Sequence, residues 1–483
     1  MKKSNFFVRQ KTYSSVLSLL NLILSGKKYP DILIGELFRK EEFSSDEKRV
    51  LVELVYGILR HLGRIDHLIE HASSARIANL GMDILNSIRI CAFQAVFMDV
   101  SAAGIITNAV AMSANDKKLG GFVKRTVEAV LRNKDNVIFP DKEKVPIEYI
   151  CVYHSHPRWI VEKWLTQLQS KEEVEALCRT NNIEPPLTIR VNPLKSDRES
   201  LKKELEVQGY ASSLTELSPF GLVIDKKEGI FKTDSFTNGL FEVQDEGSQL
   251  FTMLTGAKPG ELVIDACAGN GGKSLFLSGL MKNRGTVIAY DLSSVKLSNL
   301  KRRAGKSGAF NIKTVSRDEL NEYNEIADCV LIDAPCSGMG VFRRNPDSKW
   351  RLTTDDVKQL AAKQKEIISE YSSLVKPGGR LVYVTCTISR EENEDVVYGF
   401  LKENDDFQKV PAVSINSDIF SKLMDKDGFF KSLPHKHNTD GFFGAVLEKK
   451  NTVTIFRETT KGKGEFKFHP HEAYEEELEE RLP

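Results

Sequence analysis

Hydrophobic residues recur at helical spacing through the first quarter of the chain. Leu51, Leu54, Val55, Ile58, Leu62, Ile65 and Ile69 fall three or four positions apart and draw one apolar stripe along a helix. Ser44 and Glu47, just ahead of the stripe, have capping-box spacing and predict where that helix begins. A second stripe runs through Leu85, Ile88, Ala92, Ala95 and Val96. Residues 1–138 therefore read as a helical bundle, a shape more suited to binding than to catalysis.

The segment 139–146, with Pro140, Pro146 and the charged run Asp141–Lys144, breaks this pattern and reads as a linker. Pro157 can open a helix with Ile160, Trp164 and Leu168 on one face. Leu187–Val191 alternates as a strand, Ser196 and Glu199 cap a helix carrying Leu201 and Leu205, and Leu222–Ile224 is a further strand. Residues 150–235 thus form a small α+β module of RRM-like type. From about residue 240 the period changes to short apolar runs separated by helical stretches, the pattern of a parallel sheet. The runs are Leu262–Ile264, Thr286–Tyr290, Ile312–Val315, Cys329–Ile332 and Arg380–Val384. With Phe407–Val410 and Phe442–Leu447 they predict a seven-stranded, Rossmann-like sheet over residues 240–449. Residues 450–483 turn polar, end in an acidic run, and read as a mobile charged tail. No solenoid period is visible.

Composition narrows the picture only a little. At 483 residues the chain exceeds one hydrophobic core, in line with a multidomain α/β protein. No apolar run approaches the roughly eighteen residues of a membrane span, and Met1–Asn5 opens no secretory signal. Seven scattered cysteines are not a disulfide framework, which suggests a reducing cytoplasm and available thiols. The net charge of +1 argues mildly against a nucleic-acid partner unless a local basic face supplies the phosphate contacts. Nothing requires more than a monomer.

Candidate chemistry gathers at the predicted strand ends. Leu262–Ile264 leads into Asp265, Ala266, Cys267, Ala268, Gly269, Asn270, Gly271, Gly272, Lys273 and Ser274. Glycines after a parallel strand let backbone approach a ligand, although neither the Walker order nor the dinucleotide spacing is present. Asp291 ends the next strand, where a carboxylate can accept two ribose hydroxyls, and Asp318 follows the third, placed to meet an adenine amino group. Two cysteines, Cys336 in Asp333–Gly338 and Cys386 in Val384–Thr387, close the fourth and fifth strands. Methylation of a pyrimidine ring carbon needs such a pair. Carbon 5 of cytosine is a poor nucleophile until a thiolate adds at carbon 6, and its proton must later leave. A thiol of pKa near ~8.5 is only slightly ionised at neutral pH, so the site must favour the thiolate, with Asp333 as natural partner for the base. Desolvation under a flipped base would keep that carboxyl protonated. Cys91, Cys151, Cys178 and Cys329 read as core residues and Cys267 as backbone contact for a cofactor.

Several of these stretches resemble one family. Asp333–Gly338 with Val341–Asp347 and Trp350, Thr385-Cys386 with Glu391-Glu392-Asn393, and Asp440–Phe443 are similar to signatures of the RNA cytosine-C5 methyltransferases (Sun/Nol1/Nop2). Phe241–Asp245 resembles the segment that opens their catalytic domain. Glu53–Arg60 resembles the NusB-type RNA-binding bundle, a combination found in the bacterial 16S ribosomal RNA branch. The resemblance implies S-adenosyl-L-methionine as cofactor, held by Cys267–Lys273, Asp291, Asp318 and Asp333. It implies Cys386 as nucleophile and Cys336 as the residue that helps release product. The family usually carries alanine and proline where this chain has Gly269 and Asn270; asparagine tolerates left-handed turns, so the loop is expected to close.

Arg343, Arg344, Lys349 and Arg351 follow the Pro-Cys loop and are expected at the mouth of the site, on RNA whose target cytosine is flipped out. The cluster Lys301, Arg302, Arg303 and Lys306 reads as a solvated face. The pairs His154/His156, His435/His437 and His469/His471 lack further ligands at suitable spacing, so no metal is expected. Two rivals remain: a DNA cytosine-C5 methyltransferase, whose nucleophile would be Cys336, and a non-catalytic RNA-binding assembly factor.

Overall fold

A computed structural model describes residues 9–26, 28–73, 76–112, 117–410 and 417–451. The acidic tail and the pair His469/His471 lie outside the described residues. Among the described residues six α-helices come first: α1 (Gln10–Leu24), α2 (Pro30–Lys40), α3 (Ser45–Ser73), α4 (Met82–Phe97), α5 (Ala102–Met112) and α6 (Lys117–Asn133). The capping box forms as the spacing predicts, with Glu47 N donating to Ser44 Oγ at 3.3 Å and Ser44 N donating to Glu47 Oε2 at 2.9 Å. All seven residues of the α3 stripe are buried, which makes α3 the central post of the bundle. The helix kinks at His61, whose φ of −112° and ψ of 18° leave the helical region. There Gly63 N donates to Ser155 Oγ at 2.7 Å instead of continuing the helical ladder.

Helices Pro146–Tyr153, Arg158–Leu168 and Lys171–Asn181 follow. Their apolar faces, including Ile150, Ile160, Trp164 and Leu177, share one core with Met339, Phe342 and Val357. These helices therefore belong to the packing around the Pro-Cys segment, while the small sheet has its own core of Ile189, Val191, Leu201, Leu222 and Phe241. That sheet comprises β1 (Leu187–Val191), β2 (Ser212–Leu214), β3 (Gly221–Ile224) and β4 (Phe241–Val243), in order β2-β3-β1-β4 and antiparallel throughout. Phe241–Val243, read from sequence as the start of the catalytic domain, is the fourth strand of this module, because its backbone pairs with β1.

The large sheet holds β5 (Leu262–Asp265), β6 (Thr286–Ala289), β7 (Ile312–Thr314), β8 (Ala327–Asp333), β9 (Val375–Thr385), β10 (Phe407–Lys409), β11 (Phe430–Ser432) and β12 (Phe442–Lys449). Its order is β10-β12-β9-β8-β5-β6-β7, with the short β11 paired on β12, so the described residues form eight strands where the sequence predicts seven. Strands β5 to β9 pair in parallel, and β12 runs antiparallel to β9 and β10. Both faces are covered: Ile264, Ile288, Val330 and Tyr383 pack on one side, and Val263, Val287, Leu331 and Val382 on the other. Strand order reverses between β5 and β8, which opens a crevice at their carboxyl ends. Among the described residues no helix is long and apolar enough to cross a membrane.

Candidate active site

The turn after β5 is shaped by two left-handed glycines. Gly269 has φ +54° and Gly271 φ +83°. A Cβ on Gly271 would lie 2.4 Å from Leu300 Cγ, so the turn packs only without a side chain there. The turn closes with Gly269, and not Asn270, in the left-handed conformation. The Asn270 carbonyl instead accepts from Arg303 Nη1 at 2.5 Å, and Arg303 also pairs with Glu242 at 2.8 Å. Lys301 and Arg302 are exposed, and Lys306 is half-buried with its ammonium over the Phe236 ring. Below the turn, buried Arg190 of β1 donates to Gly272 O at 2.9 Å and lies over Phe276, and burial lowers its pKa to about 9.

Asp291, at the end of β6, accepts from Gly269 N at 2.9 Å and Ser293 N at 2.8 Å, one per carboxylate oxygen. Each oxygen keeps a second lone pair for a ligand. Asp318 is exposed in the first turn of helix Arg317–Asn321. Cys267 is half-buried and Ala268 buried, and burial pushes the Cys267 thiol up. The donor and acceptor set fits S-adenosyl-L-methionine. A Cβ on Gly269 would meet nothing within 4 Å, so open space lies over the turn, and acceptors stand at the ends of the next two strands.

The cysteines meet at the adjacent strand ends. Cys336 Sγ and Cys386 Sγ are 3.3 Å apart, and both residues are half-buried. The hydrogen bond with Cys386, followed by burial, pushes the Cys336 thiol well above its ordinary range. Buried Lys273, from the helix that follows the glycine turn, donates to Asp333 Oδ2 at 2.7 Å. Burial alone would lower the Lys273 pKa, but Asp333 and Cys386 more than offset it and hold the ammonium charged. The carboxyl expected to be protonated, Asp333, is thus ion-paired with Lys273.

The chain around the cysteines is closely tied. Gly340 N donates to Cys386 O at 3.1 Å, and Gly441 N donates to Gly340 O at 2.8 Å. A Cβ on Gly340 would stand 2.0 Å from Gly441 O. Arg344 bridges Asp440 at 2.5 Å and Asp245 at 2.7 Å, which binds three of the motif segments into one ion triad. Burial and Asp245 push Asp440 up to about 7.

The four cations expected on RNA are placed differently from that expectation. Lys349 is 1% exposed and donates to Arg60 O at 2.8 Å and Asn182 Oδ1 at 3.1 Å. Arg343 is 3% exposed, donates to Asn438 Oδ1, and its carbonyl accepts from Arg60 at 2.9 Å. Lys349 is buried against α3 and Arg343 against the Asn438 turn, so neither rings a mouth. Trp350 Nε1 donates to Leu59 O at 2.6 Å. Lys349 and Trp350 thus fill the carbonyls that the α3 kink leaves free. Arg344 is spent on its carboxylates, and Arg351 pairs with Asp347 at 3.3 Å and lies over Tyr29.

One part of the site carries no role in the sequence reading. Buried Glu392 accepts from Ser337 and Thr387, each next to a cysteine, and Asn393 accepts from Thr385 Oγ1 at 2.6 Å. The Glu391-Glu392-Asn393 motif is the signal for it; Gln364, which also donates to Glu392, has none. Among the described residues no cluster of three or more histidine, cysteine or acidic side chains could hold a metal ion.

A doubly wound sheet with an antiparallel final strand, a glycine turn beside its switch point and acceptors on the next strands define an S-adenosyl-L-methionine-dependent methyltransferase. Comparison with known proteins narrows this to an RNA methyltransferase. The chain belongs to the 16S rRNA methyltransferase RsmB/F family, whose description matches residues 252–448. A ferredoxin-like domain of the RsmF/B type matches residues 156–230, and the NusB family matches 16–136. The chain is 32% identical over 433 residues to the probable ribosomal RNA small subunit methyltransferase B of Bacillus subtilis (strain 168), covering 88% of this chain and 95% of that one. It is 27% identical to ribosomal RNA small subunit methyltransferase B of Proteus mirabilis (strain HI4320), covering 90% and 100%. The crystal structure of PH0851 superposes with a TM-score of 0.74 at 29% identity, covering 92% of this chain and 99% of that one. A methyltransferase homologue from Pyrococcus horikoshii gives 0.53 at 26%, covering 63% and 99%.

Proposed function

We propose that this enzyme methylates carbon 5 of a cytosine in 16S ribosomal RNA, in the cytoplasm, through a covalent adduct between Cys386 and carbon 6. The observation that carries this reading is the 3.3 Å approach of two thiols beside the glycine turn. The bound cofactor supplies an electrophilic methyl group. Cys386, near the Lys273 ammonium, adds as thiolate to carbon 6, and the ring electrons displaced toward carbon 5 make that carbon nucleophilic, so that it would take the methyl group while the electron pair of the broken methyl–sulfur bond stays with the cofactor. Asp333, held by Lys273, orients the amino face of the base. Once the Cys386 sulfur is bonded to carbon, its thiolate no longer faces Cys336, and the Cys336 proton passes to water. Cys336 then takes the proton from carbon 5, the carbon 5–carbon 6 double bond reforms, and the electron pair of the carbon–sulfur bond returns to Cys386.

Glycine-loop residues Cys267 to Lys273, with Asp291, Asp318 and Asp333, are the cofactor side of this scheme. RNA selection falls to residues 1–138 in the same reading, and deletion of them should weaken RNA binding while cofactor binding survives. The test is methyl transfer from labelled S-adenosyl-L-methionine to deproteinised small-subunit RNA, followed by nucleoside mass spectrometry. The expected product is 5-methylcytidine, lost in Cys386→Ala; a different methylated nucleoside, or none, overturns the reading.

A further inference from the structure

Glu392 is fully buried, yet its carboxylate faces four donors. Oε1 accepts from Ser337 N at 2.8 Å and Gln364 Nε2 at 3.1 Å. Oε2 accepts from Ser337 Oγ at 2.5 Å and Thr387 Oγ1 at 3.1 Å. Ser337 directly follows Cys336, and Thr387 directly follows Cys386. One carboxylate therefore ties the two cysteine loops together at the residue beside each sulfur. Gln364 completes the brace by donating to Pro335 O at 2.8 Å, on the other side of Cys336.

We propose that Glu392 is a positioning residue for methyl transfer: it sets the separation of the two sulfurs and, as a fixed negative charge on the Cys336 side, keeps the proton on Cys336 and the thiolate on Cys386. The proposal rests on the covalent reading above. A carboxylate taken out of water costs several kcal/mol unless its partners compensate, and here all the partners are donors on the two reactive loops or on the helix behind them. Burial raises the Glu392 pKa, and the hydrogen bonds from Ser337, Gln364 and Thr387 work against that rise. The charged and titratable groups around the sulfurs divide by side. Lys273, paired with Asp333, lies on the Cys386 side; Glu392 lies on the Cys336 side, with Tyr383 behind it. The buried anion therefore stands on the Cys336 side, and the Lys273–Asp333 ion pair on the Cys386 side.

The experiment measures alkylation of each cysteine by iodoacetamide in the full-length protein without RNA, resolved by peptide mass spectrometry between about pH 6 and pH 9. Cys386 should react faster than Cys336 in the wild type. Glu392→Gln should shrink that preference by about tenfold, roughly the effect of one pKa unit. The kcat for methyl transfer should fall with it, while KM for RNA and cofactor affinity stay near wild type. Glu392→Asp should restore part of the preference by restoring charge. If Glu392→Gln does not fold, Ser337→Ala and Thr387→Val each remove one donor and should shrink the preference by about threefold. An unchanged preference and kcat in the folded variants would overturn the proposal while the covalent reading stood. Methyl transfer that survives Cys386→Ala would instead remove the reading beneath it.

Discussion

At the β5–β7 end of the sheet the turns are short, and their carboxylates are exposed or only partly used. Asp318 is exposed, and Asp291 spends one lone pair per oxygen on the turn it supports. At the β8–β9 end the loops around the cysteines are tied to other parts of the chain through Glu392, Asn393, Lys273 and the Asp245–Arg344–Asp440 triad. The difference follows from what each end must do. A cofactor brings its own hydrogen-bonding groups and completes an open cradle. Two sulfurs that must act in sequence on one ring need their separation set beforehand, because small misplacements at reacting atoms cost large factors in rate.

Substitutions at the cysteine end should therefore be severe, and those at the cofactor end graded. Cys386→Ser should lower methyl transfer by about 10⁴-fold, as loss of a nucleophile does, with cofactor binding by calorimetry unchanged. Lys273→Met removes the ammonium near Cys386 and leaves Asp333 unpaired; kcat should fall by roughly 10²–10³-fold, the alkylation of Cys386 slowing in parallel. Gly271→Ala forces a left-handed backbone and a clash with Leu300, and should cost about 1–3 kcal/mol, read as a lower melting midpoint that added cofactor only partly restores. Asp291→Asn keeps the shape but weakens the acceptor; cofactor affinity should drop about tenfold at unchanged kcat. Trp350→Phe deletes the hydrogen bond into the α3 kink, for about 1 kcal/mol of stability in thermal unfolding, without touching either end of the sheet. A large kcat loss there would show that the bundle, too, sets the cysteine geometry.

Much of the fold was legible because its signals are local or repetitive. The strands of the parallel sheet are buried on both faces, so they stand out as continuous apolar runs such as Leu262–Ile264 and Cys329–Ile332. The α3 capping box needs only residues three apart. Phe241–Val243 was misplaced because three residues carry no record of which sheet they join, and β11 is equally short. Arg343 and Lys349 mark the deeper limit. Their spacing after the Pro-Cys loop suits a basic mouth as well as a buried joint, and distant partners decide between them: the Arg60 carbonyl at the α3 kink takes Lys349, and Asn438 takes Arg343. The cysteines could be singled out because strand ends and flanking turns are sequence features. The carboxylate between their loops stood in a motif without a stated task, since its four donors come from three separated segments.

The most direct test of the covalent scheme is to denature reaction mixtures of enzyme, cofactor and small-subunit RNA and look for protein that still carries RNA. Cys336→Ala should accumulate a denaturation-resistant complex, because the carbon 6 adduct forms but its carbon 5 proton is removed slowly. Cys386→Ala and the double variant should show none. A complex that persists in Cys386→Ala and vanishes in Cys336→Ala would reverse the roles of the two sulfurs and contradict the account.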